Sequence, residues 1–573
     1  MQTEVIFYYK KTSKKLYLNE FIEKNSKLLK KIFLESLKNI EKKKIFKNKN
    51  LRDLFKYDNS FNLWELSHLY EKNIFKEDCI NICLQYLAII EITKKYNLQE
   101  ITLNNIDAET IKVLRKYRKK IKINVLNENK KKIYDYFRNF ILGNWITSLI
   151  YFLKRNLISS LKKKPLINVN KNLIISYFCH YKKDFYKRNF FVSDHWQGLE
   201  NIIKKNFFYL NLFIASKDYK NYALLKKKIN RDIINLEDRN FLHNYFSFPD
   251  LLKVVFFTLF YSCKFFLINL IIISKNDNKF ELLELTYKIQ KRSFSGITSF
   301  ENFKNFYCFK SFLNCTPNIE RCIYLMENHS WEKILLKLCH QKKIITYGYI
   351  HATMPFWHLN YYQTRISNLN NENLPNKILT VSKINEKLLI NQGIVKKKIC
   401  LVEALRYDWL NKVKIFDLEN KKIKKILVFG DYEKKINQKL LEVIQKFSTN
   451  KNIQIYFKPH PGDLNKYSNK KYKFKIVSVF PKVMKFNFYI FSNSTSASAE
   501  YSHLSNNIAI FQPKSSINLS PFKDLENYKN VFFSDEAELL NIIDLKTKNK
   551  FDGFFYLNKK HIKLKKKINE EFL

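Results

Sequence analysis

Short apolar runs alternate with amphipathic stretches along most of the chain, and the apolar runs keep ending in clusters of polar residues. The sharpest case is 453–457, where Ile453, Ile455 and Phe457 alternate as in a strand with one buried face. Pro459 and Pro461 bar that strand from continuing, so His460 is expected on the loop just past its end, followed by Gly462. A second run, 488–491, ends in Ser492, Asn493, Ser494, Thr495 and Ser496, which cap a helix through Ala497, Glu500 and Leu504. In an open parallel sheet the loops at the carboxyl ends of strands form the ligand crevice, so these two loops are expected to line one site. Hydroxyls and free N–H groups at a helix start suit a phosphate.

The same rhythm runs through the rest of the chain. Residues 101–103, a helix capped by Asp107 and running through Arg115, and residues 121–125 read as a β-α-β unit in an N-terminal α/β domain, 1–140. A second α/β pattern, 165–390, opens with the buried-strand run 173–178. His180 and His195 lie near strand ends there and read as surface or packing histidines. Residues 323–325 end at Glu327 and Asn328, after which Trp331 and Glu332 open an amphipathic helix through Leu336 and Leu338. The strand 344–350 ends at His351, and the short strand 398–402 ends at Glu403 and Arg406. A third α/β unit, 395–545, begins with 426–429 and Gly430 and leads through a helix over 437–447 to the stretch holding His460. Residues 546–573 read as a basic tail.

One segment, 254–274, is almost continuously apolar, with Lys264 near its middle. A central lysine costs about 2.5 to 3.5 kcal/mol in a bilayer, which the apolar residues offset only weakly. A single span would also put strands of one domain on opposite sides of a membrane, so a buried or interfacial helix is expected.

Composition adds a net charge of +51, from 103 Lys+Arg against 52 Asp+Glu, which raises the question of an anionic partner. Phe 50 and Tyr 35 beside Gly 8 and Pro 10 point instead to AT-rich codon usage spreading lysine over solvated faces. An anionic membrane surface stands ahead of nucleic acid as a partner, because no RNA-binding signature interleaves aromatics with the basic residues. Glycine is scarce, so Gly348, Gly430 and Gly462 are expected at strand ends where only glycine fits. The nine cysteines match no zinc spacing and read as reduced thiols, and the run before Lys10 is too short for a signal-peptide core. The expected location is cytoplasmic, with peripheral attachment to the inner face of the membrane as a further expectation.

The segments ENHSWEK, YIHATMPFWHLNYY, VEALRYDWL, KPHPGD and SNSTSASAE, in this order, resemble a family of bacterial surface-carbohydrate (O-antigen-type) biosynthesis proteins. The likeness also takes in FNLWELSHLYEKN and SDHWQGLEN, and so covers most of the chain from about 60 to 545. It implies α/β architecture with two Rossmann-like domains facing a cleft (GT-B-like), plus the extra N-terminal α/β domain. The C-terminal half is similar to that of bacterial sialyl-, capsule Kdo- and glycerophosphate transferases. In those groups the His-Pro histidine and the Ser/Thr cluster hold the donor phosphate; carried across, these are His460 and Ser494, Thr495 and Ser496. The glycerophosphate transferases also carry a general-base histidine after a first-domain strand. His351 is similar, although that group usually shows glycine next, where this chain has Ala352.

Glycosyl transfer needs a deprotonated acceptor hydroxyl and a stabilised phosphate leaving group. His460, Lys458 and the N–H groups around Ser494 meet the second demand, and no Asp-x-Asp metal site appears, so neither metal nor cofactor is expected. His351, Glu327 and Glu332 are the candidates for the first. Glu327 could equally receive a helix N-terminus or Arg406. Glu403 and Arg406 are expected as an ion pair fixing the domains or as donor contacts, and Asn328, Gly430 and Glu500 as support. Trp331, Trp357 and Phe356 either form a sugar-stacking platform or pack in the core. The partners implied are a nucleotide-activated sugar donor and a glycan or lipid-linked glycan acceptor. The competing readings are a nucleotide-sugar epimerase on the same fold and a non-catalytic, membrane-associated assembly protein.

Overall fold

The computed structural model describes residues 3–9, 12–59, 61–76, 78–128, 141–156, 171–177, 195–196, 199, 202, 207–214, 239–362, 373–412, 425–449, 453–460, 463, 467, 474–477, 486–525, 531–544 and 553–572. Pro461, Gly462, His180 and the region 178–194 lie outside the described residues.

Three sheets organise the described residues. The first has strands β1 (Glu4–Tyr9), β2 (Thr12–Tyr17), β3 (Glu100–Ile106) and β4 (Lys122–Glu128) in the order β2-β1-β3-β4. Strands β3 and β4 are parallel and joined by a helix whose N-cap, Asp107, accepts from the N–H of Glu109 and Thr110. That is the β-α-β unit the alternation predicts.

The second sheet contains β5 (Asn172–Tyr177), β6 (Phe207–Leu212), β7 (Arg239–Phe241), β8 (Arg321–Leu325), β9 (Ile345–Ile350), β10 (Lys377–Thr380) and β11 (Ile399–Leu401). Its order is β11-β10-β9-β8-β5-β6-β7, and every pairing is parallel. The third contains β12 (Lys425–Phe429), β13 (Gln454–Lys458), β14 (Lys475–Ile476), β15 (Phe488–Ser492), β16 (Ile508–Phe511) and β17 (Phe532–Phe533). Its order, β14-β13-β12-β15-β16-β17, is again parallel throughout. In both sheets the order reverses beside a central strand, as in doubly wound Rossmann-like domains, where the switch point leaves a crevice at the carboxyl ends. The strands read as continuous apolar runs because both faces are covered; β5 and β15 are buried along their whole length.

Gly348 lies inside β9 and not at its end. The reason is packing: a Cβ there would stand 2.6 Å from the Met326 sulfur. Gly430 does follow its strand, and a Cβ there would stand 2.8 Å from Asn437 Oδ1.

Among the helices, α1 (Ile141–Asn156) and α2 (Phe248–Lys275) lie against α3 (Ile297–Cys315). Ser247 and Asp250 close a capping box at the start of α2. One face of α2, including Val254, Thr258, Tyr261 and Phe265, is buried. The other presents Phe248, Leu252, Phe256, Phe260, Leu267 and Leu270 to solvent. The stretch expected as a basic tail ends in α7 (Ile562–Phe572), which packs on the second sheet through the rings of Phe572, Phe207 and Tyr347. Between α3 and α7 lie α4 (Ser330–Gln341), α5 (Lys434–Thr449) and α6 (Ala497–Ser502).

Candidate functional site

The central strands β8 and β9 of the second sheet deliver their carboxyl ends to one place. After β8 the chain turns through Met326, Glu327, Asn328 and His329 into α4, and Asn328 takes the left-handed conformation (φ 60°) that lets the turn close. Glu332, one turn into α4, accepts from the backbone N–H groups of Glu327 (3.1 Å), Asn328 (2.9 Å) and His329 (3.1 Å). Its side chain is fully enclosed. Glu332 therefore braces the turn and does not face the substrate space, which corrects its expectation as a base. Burial pushes its carboxyl up to about 8, against the pull of His329 and the three N–H donors.

Glu327 and His329 form the hydrogen-bonded centre of this turn. His329 Nε2 is 2.8 Å from Glu327 Oε2, and its Nδ1 is 3.3 Å from Glu71 Oε1. Glu71 comes from the N-terminal region, is buried, and also receives Lys76 Nζ at 2.8 Å. Burial alone would lower the His329 pKa, but the hydrogen bonds to Glu327 and Glu71 prevail and raise it to about 10. His329 and Lys76 in turn hold the Glu71 carboxyl far below the usual range despite burial. His329 is thus an imidazolium at neutral pH between two carboxylates.

On the other side of Glu327, the Oε1 atom is 3.8 Å from Nε2 of His351, which follows β9. The His351 ring meets that of His195 edge to face at 4.7 Å. Glu327, His329 and His351 line a cavity of about 240 Å³ together with Asn73, Phe75 and His358. Burial keeps His358 neutral, lowering it to about 4.

In the third sheet, His460 follows β13 and Lys458 closes it. Burial lowers the His460 pKa, so its imidazole is neutral near pH 7. Ser494 is engaged: its hydroxyl donates to Asp431, as does that of Ser492. The Thr495 hydroxyl accepts from the N–H of Ala497 at 3.3 Å. Ser496 is the residue before α6 and makes no side-chain cap bond, and α6 is only six residues long. The Ser/Thr loop is therefore tied down by its own backbone and by Asp431, and the imidazole of His460 and the ammonium of Lys458 stand at the end of the neighbouring strand β13. Gly430 is spent on the approach of α5, whose Asn437 receives the N–H of Asp431 at 2.6 Å.

Several supporting residues act structurally. Trp357 is fully buried and donates from Nε1 to Glu23 at 3.3 Å, so it packs in the core and offers no sugar platform. Trp331 lines a second cavity, with Nε1 donating to the Tyr177 hydroxyl at 2.7 Å. Glu403 does not pair with Arg406. Its carboxylate accepts from the backbone N–H groups of Lys563 (2.9 Å) and Leu564 (2.7 Å), fixing the start of α7. Arg406 instead lies within electrostatic reach of Glu500 of the third domain, together with Lys458. Asn328 donates to the Asn360 carbonyl. Across the cleft, Asp78 of the N-terminal region is within electrostatic reach of Tyr432 and Glu433, which follow β12. The N-terminal region thus bonds the turn after β8 through Glu71 and lies within electrostatic reach of the third sheet through Asp78.

Sequence reasoning missed Glu71, His329 and Asp431. Glu71 and His329 stand inside the segments FNLWELSHLYEKN and ENHSWEK, so the signal was present but carried no spacing that ties the two together. Among the described residues no three His, Cys, Asp or Glu side chains converge in a metal-binding arrangement.

No protein-family model matches the chain, and no curated protein matches it. Solved structures similar to it include the UDP-GlcNAc 2-epimerase of Methanocaldococcus jannaschii, at 11% identity and a TM-score of 0.38, covering 70% of this chain and 99% of that one. The UDP-N-acetylglucosamine 2-epimerase of Rickettsia bellii also aligns, at 11% identity and a TM-score of 0.38, over 70% of this chain and 95% of that one. A lipopolysaccharide outer core galactosyltransferase aligns at 10% identity with a TM-score of 0.31, over 69% of this chain and 94% of its own.

Proposed function

We propose that this chain is a glycosyltransferase that moves a sugar from a nucleotide-activated donor to a surface glycan or its lipid-linked precursor. The observation that carries the reading is the cluster Glu71–His329–Glu327–His351 at the carboxyl ends of β8 and β9. In this reading the acceptor hydroxyl enters the cavity beside Glu327 and gives its proton to the Glu327–His351 pair. The two groups act together as the base. The His329 imidazolium, locked by Glu71, keeps Glu327 oriented. As the bond to the donor phosphate breaks, charge grows on its oxygens and is met by Lys458 and the His460 imidazole, each donor worth a few kcal/mol in a water-poor site.

Epimerisation of a nucleotide sugar on the same fold is the second reading. The transferase is favoured because two cavities, of about 240 and 380 Å³, flank His329. A reaction on one bound nucleotide sugar needs a single sugar pocket, whereas transfer needs two. The solvent-facing stripe of α2 supports a lipid-linked acceptor. Eight large apolar side chains lie open along it, Phe248, Leu252, Phe256 and Phe260 at four-residue spacing and Phe266, Leu267, Leu270 and Ile273 further on, with Ile146, Ile150 and Tyr151 of α1 beside them. Lys253, Lys264 and Lys275 flank this stripe, as in helices that lie in an anionic bilayer surface.

A thermal-shift panel of CMP-, UDP-, GDP- and dTDP-linked donors tests the donor half, with His460→Ala as control. One donor should raise the melting temperature of the wild type and fail to do so in the variant. Absence of any shift at millimolar donor refutes the reading. Release of free epimerised sugar without acceptor would select the epimerase.

A further inference from the structure

The larger cavity, about 380 Å³, opens beyond the carboxyl ends of β5 and β6, with His329 at its inner end and Lys76 beside it. One wall is apolar and aromatic, built from Tyr177, Leu212, Leu242 and Trp331, a surface suited to the C–H face of a sugar ring. The opposite wall is different. Among the described lining residues Glu301 is the only carboxylate, and two cations face it. Lys304, nearly fully buried, contacts Glu301 directly, while Arg155 Nη1 stands 3.9 Å away, beyond hydrogen-bonding distance. The positive field is strong enough to show on a neighbour: burial first, then Lys304 and Arg155, drive the His243 imidazole well below its ordinary pKa.

Three donor groups among the lining residues are spent on nothing. Among the described residues, Arg155 Nε, Asn302 Nδ2 and Ser330 Oγ are buried without a hydrogen-bond partner. Asn302 is 3% and Ser330 6% exposed. Buried donors are almost always satisfied, and three beside one cavity, with excess cationic charge, call for an acceptor that enters from outside.

We propose that this cavity is a subsite for an oxyanion group carried on a sugar, a carboxylate or a phosphate, held by Arg155, Asn302 and Ser330 with Lys304 behind them. The inference rests on the transferase reading in one respect: the anionic sugar is the acceptor, whose free hydroxyl then points past Trp331 toward Glu327. The enzyme would accordingly extend an acidic or phosphorylated saccharide in preference to a neutral one.

Ligand-observed NMR on the full-length chain tests this with three probes: methyl glucuronoside, methyl glucoside 6-phosphate and methyl glucoside. At least one charged probe should bind about tenfold or more tightly than the neutral one, the difference expected of a charge-assisted hydrogen-bonded contact. A preference for the carboxylate or for the phosphate identifies the source of the oxyanion. Arg155→Gln should remove the preference while leaving the weak neutral binding, and Arg155→Lys should keep part of it. Equal binding of charged and neutral probes, or no binding of any of them at about 50 mM, overturns the proposal. Donor binding and its loss in His460→Ala are measured in parallel on the same samples. A bound donor without charged-sugar preference sinks the subsite alone, and failure of both sinks the transferase reading as well.

Discussion

Glu71→Gln is the most informative single perturbation, because it keeps shape and removes one charge from the centre of the cluster. The Glu71 side chain is 1% exposed and serves two cations, Lys76 at 2.8 Å and His329 at 3.3 Å. Breaking a buried ion pair from one side typically costs about 3–5 kcal/mol, since the abandoned charge stays buried. Here the cost should fall at the lower end, about 3 kcal/mol, because each cation has somewhere to go. Lys76 is 36% exposed and can rehydrate, and His329 keeps Glu327 at 2.8 Å. The interaction with His329 should then be isolated by a double-mutant cycle of Glu71→Gln and His329→Gln, followed by urea unfolding near neutral pH. A coupling of at least about 1 kcal/mol is expected, against the roughly 0.5 kcal/mol scatter of independent sites. Additive single losses would show that the two side chains merely lie side by side, and the picture of a locked imidazolium would fail. Lys76→Met serves as the comparison and should cost less than about 1 kcal/mol, as half-solvated pairs do.

Three further outcomes follow from the same geometry. The His329 ring, with its pKa raised from 6.5 to about 10, should remain protonated across neutral pH in an NMR titration. Its contribution to stability is full below its unfolded pKa of 6.5 and is lost as pH rises toward about 10, so a midpoint near 6.5 in the folded protein refutes the assignment. Glu327→Gln and His351→Asn should each lower kcat by about 10²–10⁴ with little change in donor KM, the range for a lost general base; a loss under about tenfold removes the pair from catalysis. Replacing Phe256, Phe260 and Leu267 by serine should lower affinity for phosphatidylserine vesicles by at least about 100-fold, at roughly 1.5 kcal/mol or more per side chain withdrawn from water. The side chains are exposed, so the fold should be unaffected; unchanged vesicle binding would remove α2 from the membrane.

The strands were legible because a buried parallel strand needs only a local signal, an apolar run cut off by polar or proline-containing sequence. The described parts of the runs at 173–178, 323–325, 344–350, 426–429, 453–457 and 488–491 each overlap a strand of the two parallel sheets. The candidate site was legible in part for the same reason. A parallel sheet puts the residue after each strand at the crevice, so His351, Glu327 and His460 could be named from position alone. Glu332 was misread because a carboxylate in the first turn of a helix reads the same in sequence whether it meets a substrate or the backbone beside it, and the bond from Ser494 to Asp431 was not legible because the two are far apart in sequence. Trp357 was left open between the two, because an aromatic near a strand end is equally suited to a sugar and to a core, and it packs in the core.

What the sequence determined by itself, then, is the alternation of strand and helix, the doubly wound class and the list of polar groups stationed at strand ends. Only the tertiary structure decided which of those groups meet. Glu71 and His329 are 258 positions apart, and no periodicity joins them. Their contact exists because the N-terminal region folds over the carboxyl edge of the second sheet, where burial makes a lone charge costly and a shared proton favourable.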